Sequence, residues 1–221
     1  MIRSVVDRLK RLNASSVSDA LDAFGIKGVA LGIHCLAANK RVAGTVLTVR
    51  LKRATREKPK RHLGTIAIAA ASAGDVIVIE HAGRTDVAGW GGILSLAAKQ
   101  KGVSAVIIDG AFRDQPEAEK MRFPVFGRTS VPVSARGRVV ESSFNAPVKI
   151  SGIQVRPEDF VLADGDGVVF VPKDKADEVI TRAEEILAKE TEMAKAIRRG
   201  KAAKRVMGSS YESLLRRRAR S

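Results

Sequence analysis

Two short runs of branched apolar residues, GDVIVIE (74–80) and VSAVIID (103–109), constrain this chain more than any other feature. Each is too short and too rich in β-branched residues to read as a buried helix, and the first follows a Gly-Asp turn. Between them ILSLAAKQKG has a helical pattern with Gly102 just past its end. A third run, FPVFG (123–127), follows the short helical stretch QPEAEKM. Strands joined through helices cannot pair as hairpins; they pair in parallel through right-handed crossovers. The order from 74 to 127 therefore predicts an α/β sheet with a βαβ centre.

The flanks read differently. Two short helices open the chain. The second, SSVSDALDAFG, has Ser16 as its expected cap, Asp19 three residues on in a capping-box pattern, and Gly25 at its end. TVLTVRL (45–51) is expected to be a strand, LGTIAIAAASAG a buried, Ala-rich helix closed by Gly74, and HAGRTDVAGWGG a glycine-rich loop. After Gly127 short β-rich pieces (RGRVVESS, APVKI, IQV, DFVLADGDGVVFVP) alternate with Gly, Pro and Asp, the texture of antiparallel strands. DGDG (164–167) reads as a turn rather than a metal loop. KDKADEVITRAEEILAKETEMAKAIRRG reads as a long amphipathic helix, broken or extended near Gly200. No repeat or Pro/Gly/Ser-rich linker divides the chain. The expected organisation is one domain over 1–200 and a basic tail or short helix over 201–221.

Composition excludes some function classes. With 221 residues, 45% of them hydrophobic, the chain can bury a full core. No uncharged run approaches the ~20 strongly apolar residues of a membrane span. The opening MIRSVVDRLKRL has no apolar h-region. The single cysteine, Cys35, cannot form an internal disulfide. A cytoplasmic protein without membrane contact is the expectation. The formal charge is +15, but it is concentrated. Residues 40–62 carry nine Lys or Arg against Glu57, and residues 198–221 carry nine against Glu212. The remaining body is close to neutral. Aromatics make up 4% of the chain and none lies within 40–62. A nucleic-acid reader mixes stacking groups with its basic residues. The basic loop and tail therefore imply nonspecific polyanion or RNA contact at most.

Chemistry is signalled chiefly by absence. There is no GxGxxG after a strand and no GxxxxGK[ST] loop. His34, His62 and His81, the only histidines, lack the spacing of a zinc site. What remains is a polar cluster at strand C-termini, where open α/β sheets bind ligands. It comprises Glu80, His81, the loop 83–92 and residues 109–114. The helix after Gly91 and Gly92 presents unpartnered N–H groups and the positive end of its dipole, a seat for an anion. Arg113 supplies a planar carboxylate clamp. Asp114 is a hard oxygen ligand suited to Mg²⁺ or Mn²⁺. On spacing alone Arg113–Asp114 is equally a capping or surface pair. The functional alternative is a site for a carboxylate beside a carbonyl, with a dication to polarise the carbonyl. Asp109 is expected to cap the turn or to orient Arg113. Arg84 and Asp86 either order the loop by pairing or contact the distal part of a substrate, and Trp90 is expected to pack beneath the loop.

GDVIVIEHAGRTDVAGWGGILSLAAKQKGVSAVIIDGAFRD, with SVSDALDAFG before it and FPVFGRTSVP after it, resembles the divalent-metal pyruvate aldolases typified by 4-hydroxy-4-methyl-2-oxoglutarate aldolase. That family also contains the regulator of ribonuclease E activity A. The resemblance covers about residues 10–172. It implies a three-layer β/β/α swivelling-domain fold with a long C-terminal helix, homotrimers or homohexamers, and active sites at subunit interfaces. By the same resemblance Gly91, Gly92, Ile93 and Leu94 match the loop whose amides bind pyruvate, Arg113 the substrate-binding arginine and Asp114 the metal-binding aspartate. Glu190 and Glu192 are possible counterparts of a glutamate that the aldolases contribute from a neighbouring subunit. The implied activity is metal-dependent cleavage of a 2-oxo acid, by retro-aldol reaction or oxaloacetate decarboxylation. The implied alternative is a non-catalytic regulator of a ribonuclease. One position departs from the aldolase pattern: Gly92 stands where they carry an acidic residue that handles a metal-bound water.

Overall fold

The parallel run lies at the centre of a nine-stranded sheet in the computed structural model, which describes residues 2–55 and 62–207. In chain order the elements are α1 (Ile2–Leu9), α2 (Ala14–Ala23), β1 (His34–Ala37), β2 (Val42–Arg53), α3 (Thr65–Ala70), β3 (Val76–Ala88), α4 (Gly92–Gln100), β4 (Ala105–Phe112) and α5 (Gln115–Lys120). There follow β5 (Val125–Gly127), β6 (Thr129–Ser130), β7 (Val139–Phe144), β8 (Val148–Ile150), β9 (Ile153–Val155), β10 (Phe160–Asp164), β11 (Gly167–Val171), α6 (Ala176–Arg198) and α7 (Ala203–Val206). The main sheet runs β1-β5-β4-β3-β2-β10-β11. Its β2, β3, β4 and β5 are mutually parallel; β1, β10 and β11 join antiparallel. The two ends of this order, β1 and β11, return toward each other, so the sheet is nearly closed.

Strand alternation sorts the core. Ile77, Ile79, Val106 and Ile108 pack with residues of α3, α4 and α5 on one face. Val76, Val78, Ala105 and Ile107 face the other way, onto the β8–β9 hairpin and β10–β11. This is the three-layer β/β/α arrangement. All are fully buried, which for each Val and Ile stabilises the fold by ~1.5–3 kcal/mol before entropy is counted. A third cluster joins α1, α2 and α6 to β10 and β11 through Leu9, Leu21, Leu162 and Ile180. Arg8 fastens α1 to α6 by a two-pronged contact with Glu184, at 2.9 and 2.7 Å. Hydrogen bonding from Arg8 holds the Glu184 carboxyl below its usual range.

Several expectations shift. The cap of α2 is Asn13, whose side chain accepts from Ser16 N at 2.7 Å; Ser16 lies inside the first turn. Both residues are good caps, and the earlier one wins. Helix α3 ends at Ala70, well before Gly74, and only Ala67 of its six residues is buried. The glycine-rich stretch after Glu80 is not a loop. Strand β3 continues through it to Ala88, slipping register twice against β4, between Glu80 and Arg84 and again between Arg84 and Ala88. Such bulges absorb glycines and turn formers without ending a strand. β4 likewise runs on past Asp109 to Phe112. DGDG is the β10–β11 turn as expected, with Asp164 also accepting the first N–H of α2 at 2.9 Å. The long helix stops at Arg198, and Gly200 adopts a left-handed φ of 85° before α7. The basic segment 56–61 and the tail 208–221 lie outside the described residues. Among the described residues no helix is long and apolar enough to cross a membrane.

Candidate active site

The extension of β4 decides where its polar residues go. Alternation along the strand turns Asp109 to the face opposite Ile108. There its Oδ1 accepts from Arg128 Nε at 2.5 Å and its Oδ2 from Ser151 N at 2.7 Å. Glu80, on the neighbouring strand, accepts from Arg50 Nε at 3.0 Å and Lys149 N at 2.8 Å. Both acids tie the β8–β9 region to the sheet. Asp109 therefore does not orient Arg113. His81 is buried, and its Nε2 donates to Val87 O across the bulged stretch at 2.9 Å. Burial pushes its pKa down, which favours the neutral ring. Glycine at 110 is needed beside it: a Cβ there would lie 2.5 Å from His81 Cδ2. Arg84 and Asp86 form a two-pronged pair at 3.0 and 2.7 Å, ordering the bulged strand. Hydrogen bonding from Arg84 lowers the Asp86 pKa.

Arg113 and Asp114 leave β4 on the α4 side. Arg113 N donates to Trp90 O at 3.0 Å, which fixes this junction against the start of α4. Asp114 caps α5 in a left-handed conformation, φ 65° and ψ 42°. That region is uncommon for a residue with a side chain, though Asp tolerates it best after Asn. Its Oδ2 accepts the Gly92 N–H at 2.8 Å and lies 3.5 Å from Arg113 Nε. A Cβ at position 92 would sit 3.0 Å from Asp114 Cβ and 3.4 Å from its Oδ2. Glycine at 92 thus lets the carboxylate close on the helix start. One of the orphan N–H groups expected to seat an anion is consumed in this way; those of Ile93 and Leu94 have no intrahelical acceptor. Trp90 is buried as expected, and its Nε1 donates to Ser95 Oγ at 2.9 Å beneath the helix start.

These groups open onto one cavity of about 740 Å³. All six residues singled out from the sequence line it: Gly91, Gly92, Ile93, Leu94, Arg113 and Asp114. Glu80, His81 and Asp109 do not. Two further segments complete its walls and carried no sequence signal. One runs from His62 to Ile68 and the other from Ser134 to Val140. They meet because β7 pairs with the far end of β2, and Gly64 N donates to Glu141 Oε2 at 2.8 Å.

A family model described as Aldolase/RraA, RraA-like, matches residues 14–170. The chain belongs to the RraA-like family. A DlpA protein of Legionella pneumophila is 28% identical to this RraA-like chain over 197 residues, which cover 89% of the chain but 32% of DlpA. A protein of Halalkalibacterium halodurans named "Putative 4-hydroxy-4-methyl-2-oxoglutarate aldolase" is 29% identical over 193 residues, 87% of this chain and 88% of that protein. Among solved structures, an uncharacterized protein of Pseudomonas syringae pv. tomato superposes with a TM-score of 0.84 at 31% identity, covering 94% of this chain and 98% of its own. The RraA-like architecture is thus shared along nearly the whole chain.

Proposed function

We propose that this chain is a divalent-metal-dependent carbon–carbon lyase acting on a 2-oxo acid with a pyruvate moiety. One observation carries the reading: the Arg113 guanidinium, the Asp114 carboxylate and the first N–H groups of α4 line a single cavity. Relatives named as aldolases support the same reaction class.

The donors fit a hard dication better than zinc. Among the described residues no three His, Cys, Asp or Glu side chains cluster as a metal cage. Mg²⁺ and Mn²⁺ keep several waters and need only one or two carboxylates plus the substrate. Asp114 offers such an oxygen, and a carboxylate that accepts one N–H at Oδ2 retains lone pairs for a cation. When bound, the dication supplies a Lewis acid for the keto oxygen.

Arg113 clamps the substrate carboxylate through its paired N–H donors. The Ile93 and Leu94 amides add donors at the positive end of α4. Buried Trp90 and Leu94 exclude water from this end of the cavity. In retro-aldol cleavage the C4 hydroxyl loses its proton and C4 becomes a carbonyl. The electrons of the broken C3–C4 bond remain with the pyruvate fragment, which takes up a proton at C3. In oxaloacetate decarboxylation the same electrons remain as CO₂ leaves. Gly92 has no side chain to carry the hydroxyl proton, so decarboxylation is the less demanding of the two reactions. In this reading the chain works as a homotrimer or homohexamer, and exposed Ile93 and Leu96, three apart on α4, belong to the covered face.

The test is pyruvate formation from oxaloacetate and from 4-hydroxy-2-oxo acids with Mg²⁺ or Mn²⁺. Turnover that a chelator abolishes and that falls ~100-fold or more in Arg113→Lys and Asp114→Asn is expected. No pyruvate from any of these compounds overturns the proposal.

A further inference from the structure

We infer that Ser95, buried behind the cavity wall, is a positioning residue for the Asp114 carboxylate and acts on it through the peptide unit that joins Gly91 to Gly92. The inference rests on the lyase reading only for what Asp114 does; the linkage itself is made of contacts within one chain. The wiring follows from donor chemistry. The indole Nε1–H of Trp90 can only donate, so Ser95 Oγ accepts it, at 2.9 Å. The single proton of the serine then goes to Gly91 O, at 3.2 Å. The same carbonyl accepts the Ser95 backbone N–H at 3.0 Å. A serine bonded to the carbonyl four residues back is common in helices. Here a buried indole holds the hydroxyl from the other side, and Ser95 is itself fully buried.

The Gly91 carbonyl and the Gly92 N–H belong to one planar peptide unit. Holding the carbonyl end therefore aims the N–H end, and that N–H donates to Asp114 Oδ2 at 2.8 Å. The chain of donors runs from the Trp90 indole to the Ser95 hydroxyl, to the 91–92 peptide and on to the carboxylate. Each bond in such a chain polarises the next. The other end of the turn is tied down as well: Trp90 O accepts the Arg113 N–H at 3.0 Å. Gly91 lies directly against the functional pair. A Cβ on it would be 3.0 Å from Asp114 Oδ2 and 3.3 Å from Arg113 Nε. A tilt of the 91–92 peptide would thus be felt at the carboxylate at once. Without the hydroxyl, Gly91 O keeps only its helical bond, and the indole N–H is left buried without this acceptor.

The experiment measures the Kd for Mn²⁺ by electron paramagnetic resonance, in the full chain and at a temperature where each variant is folded. Ser95→Ala is expected to raise that Kd about fivefold or more, since small misplacements of a ligating group weigh heavily. Ser95→Cys, a weaker donor and acceptor of similar size, is expected to fall between Ala and the parent, and Ser95→Thr, which keeps the hydroxyl, to stay within about twofold of the parent. A serine with a merely structural role would lower the unfolding midpoint and leave the Kd of the folded protein unmoved. A folded Ser95→Ala that binds Mn²⁺ as tightly as the parent overturns the inference; should that variant not fold, an unmoved Kd in Ser95→Cys does so. Oxaloacetate turnover by the parent is measured alongside. Mn²⁺ binding that weakens as expected, with no pyruvate formed by the parent, removes the lyase reading and leaves the linkage from Ser95 to Asp114 standing. A parent that binds no Mn²⁺ removes both.

Discussion

The amide of Gly92 and the carboxylate of Asp114 meet at 2.8 Å, and the absence of a side chain at 92 makes that meeting possible. A methyl group there would press on Asp114 Cβ at 3.0 Å. Gly92→Ala is expected to move the carboxylate by a few tenths of an ångström and to lower pyruvate formation ~10-fold, since small misplacements weigh heavily on rate. Stability should change by less than ~1 kcal/mol, because Ala gains helix propensity at the same position. Thermal unfolding and kcat/KM on oxaloacetate read the two effects separately.

In the proposed reading Asp114 has both a structural and a chemical part, and two variants divide them. Asn tolerates the left-handed backbone and can still accept the Gly92 N–H; it cannot supply a full negative charge. Asp114→Asn should therefore unfold within ~0.5 kcal/mol of the parent while losing Mg²⁺-dependent turnover. Asp114→Ala loses the hydrogen bond and strains φ 65° as well. It should cost ~1–3 kcal/mol in denaturant unfolding.

Trp90 is the only tryptophan in the chain and lies on the cavity wall, so its emission reports directly on the site. Pyruvate added with Mg²⁺ should shift or quench it saturably. Ser95→Ala removes the acceptor of the buried indole N–H. The expected loss is ~1–3 kcal/mol in unfolding free energy.

Buried His81 gives the fold a pH signature. Its folded pKa is lowered by desolvation, so the unfolded chain binds the proton more readily. This contribution is fully present above the unfolded pKa of about 6.5 and is lost as pH falls below it toward the folded value. His81→Phe keeps a flat ring against Gly110 and removes the titration. The midpoint of unfolding should then decline less steeply between pH 6.5 and pH 5 than in the parent.

Among the described residues Arg128 is the side chain that pairs with buried Asp109, the other donor being the Ser151 amide. Arg128→Met would leave a carboxylate buried with one partner. The expected cost is ~2–4 kcal/mol, toward the lower part of the range for broken buried pairs because the guanidinium is partly exposed. Arg128→Met with Asp109→Asn should recover part of it.

The sequence was most legible where chemistry and backbone are set locally. Gly91-Gly92 before a helix and Arg113-Asp114 after a buried strand are short-range patterns, and both end on the same cavity. Sequence alone groups Glu80, His81 and Asp109 with them, because it predicts that β3 and β4 stop at those residues. The strands instead continue, and two bulges turn a run of glycines and turn formers into paired backbone. A bulge has no simple periodic signature, so such a stretch has the composition of a loop. His62 and Arg136 could not have been assigned to the site. They reach it through the pairing of β2 with β7, across a separation of some ninety residues in the chain.

That pairing has a mechanical side. β2 is held between β3 and its other neighbours only as far as Arg50; from Leu51 to Arg53 its ladder partner is β7 alone, beyond the register slip. One flank of the cavity is therefore a two-stranded ribbon, anchored through Leu51 and Val139, while the opposite flank is built on the full sheet. Filling the space between them would damp the ribbon more than the sheet, and slowed amide exchange confined to 51–53 and 138–140 is how an occupied cleft would announce itself.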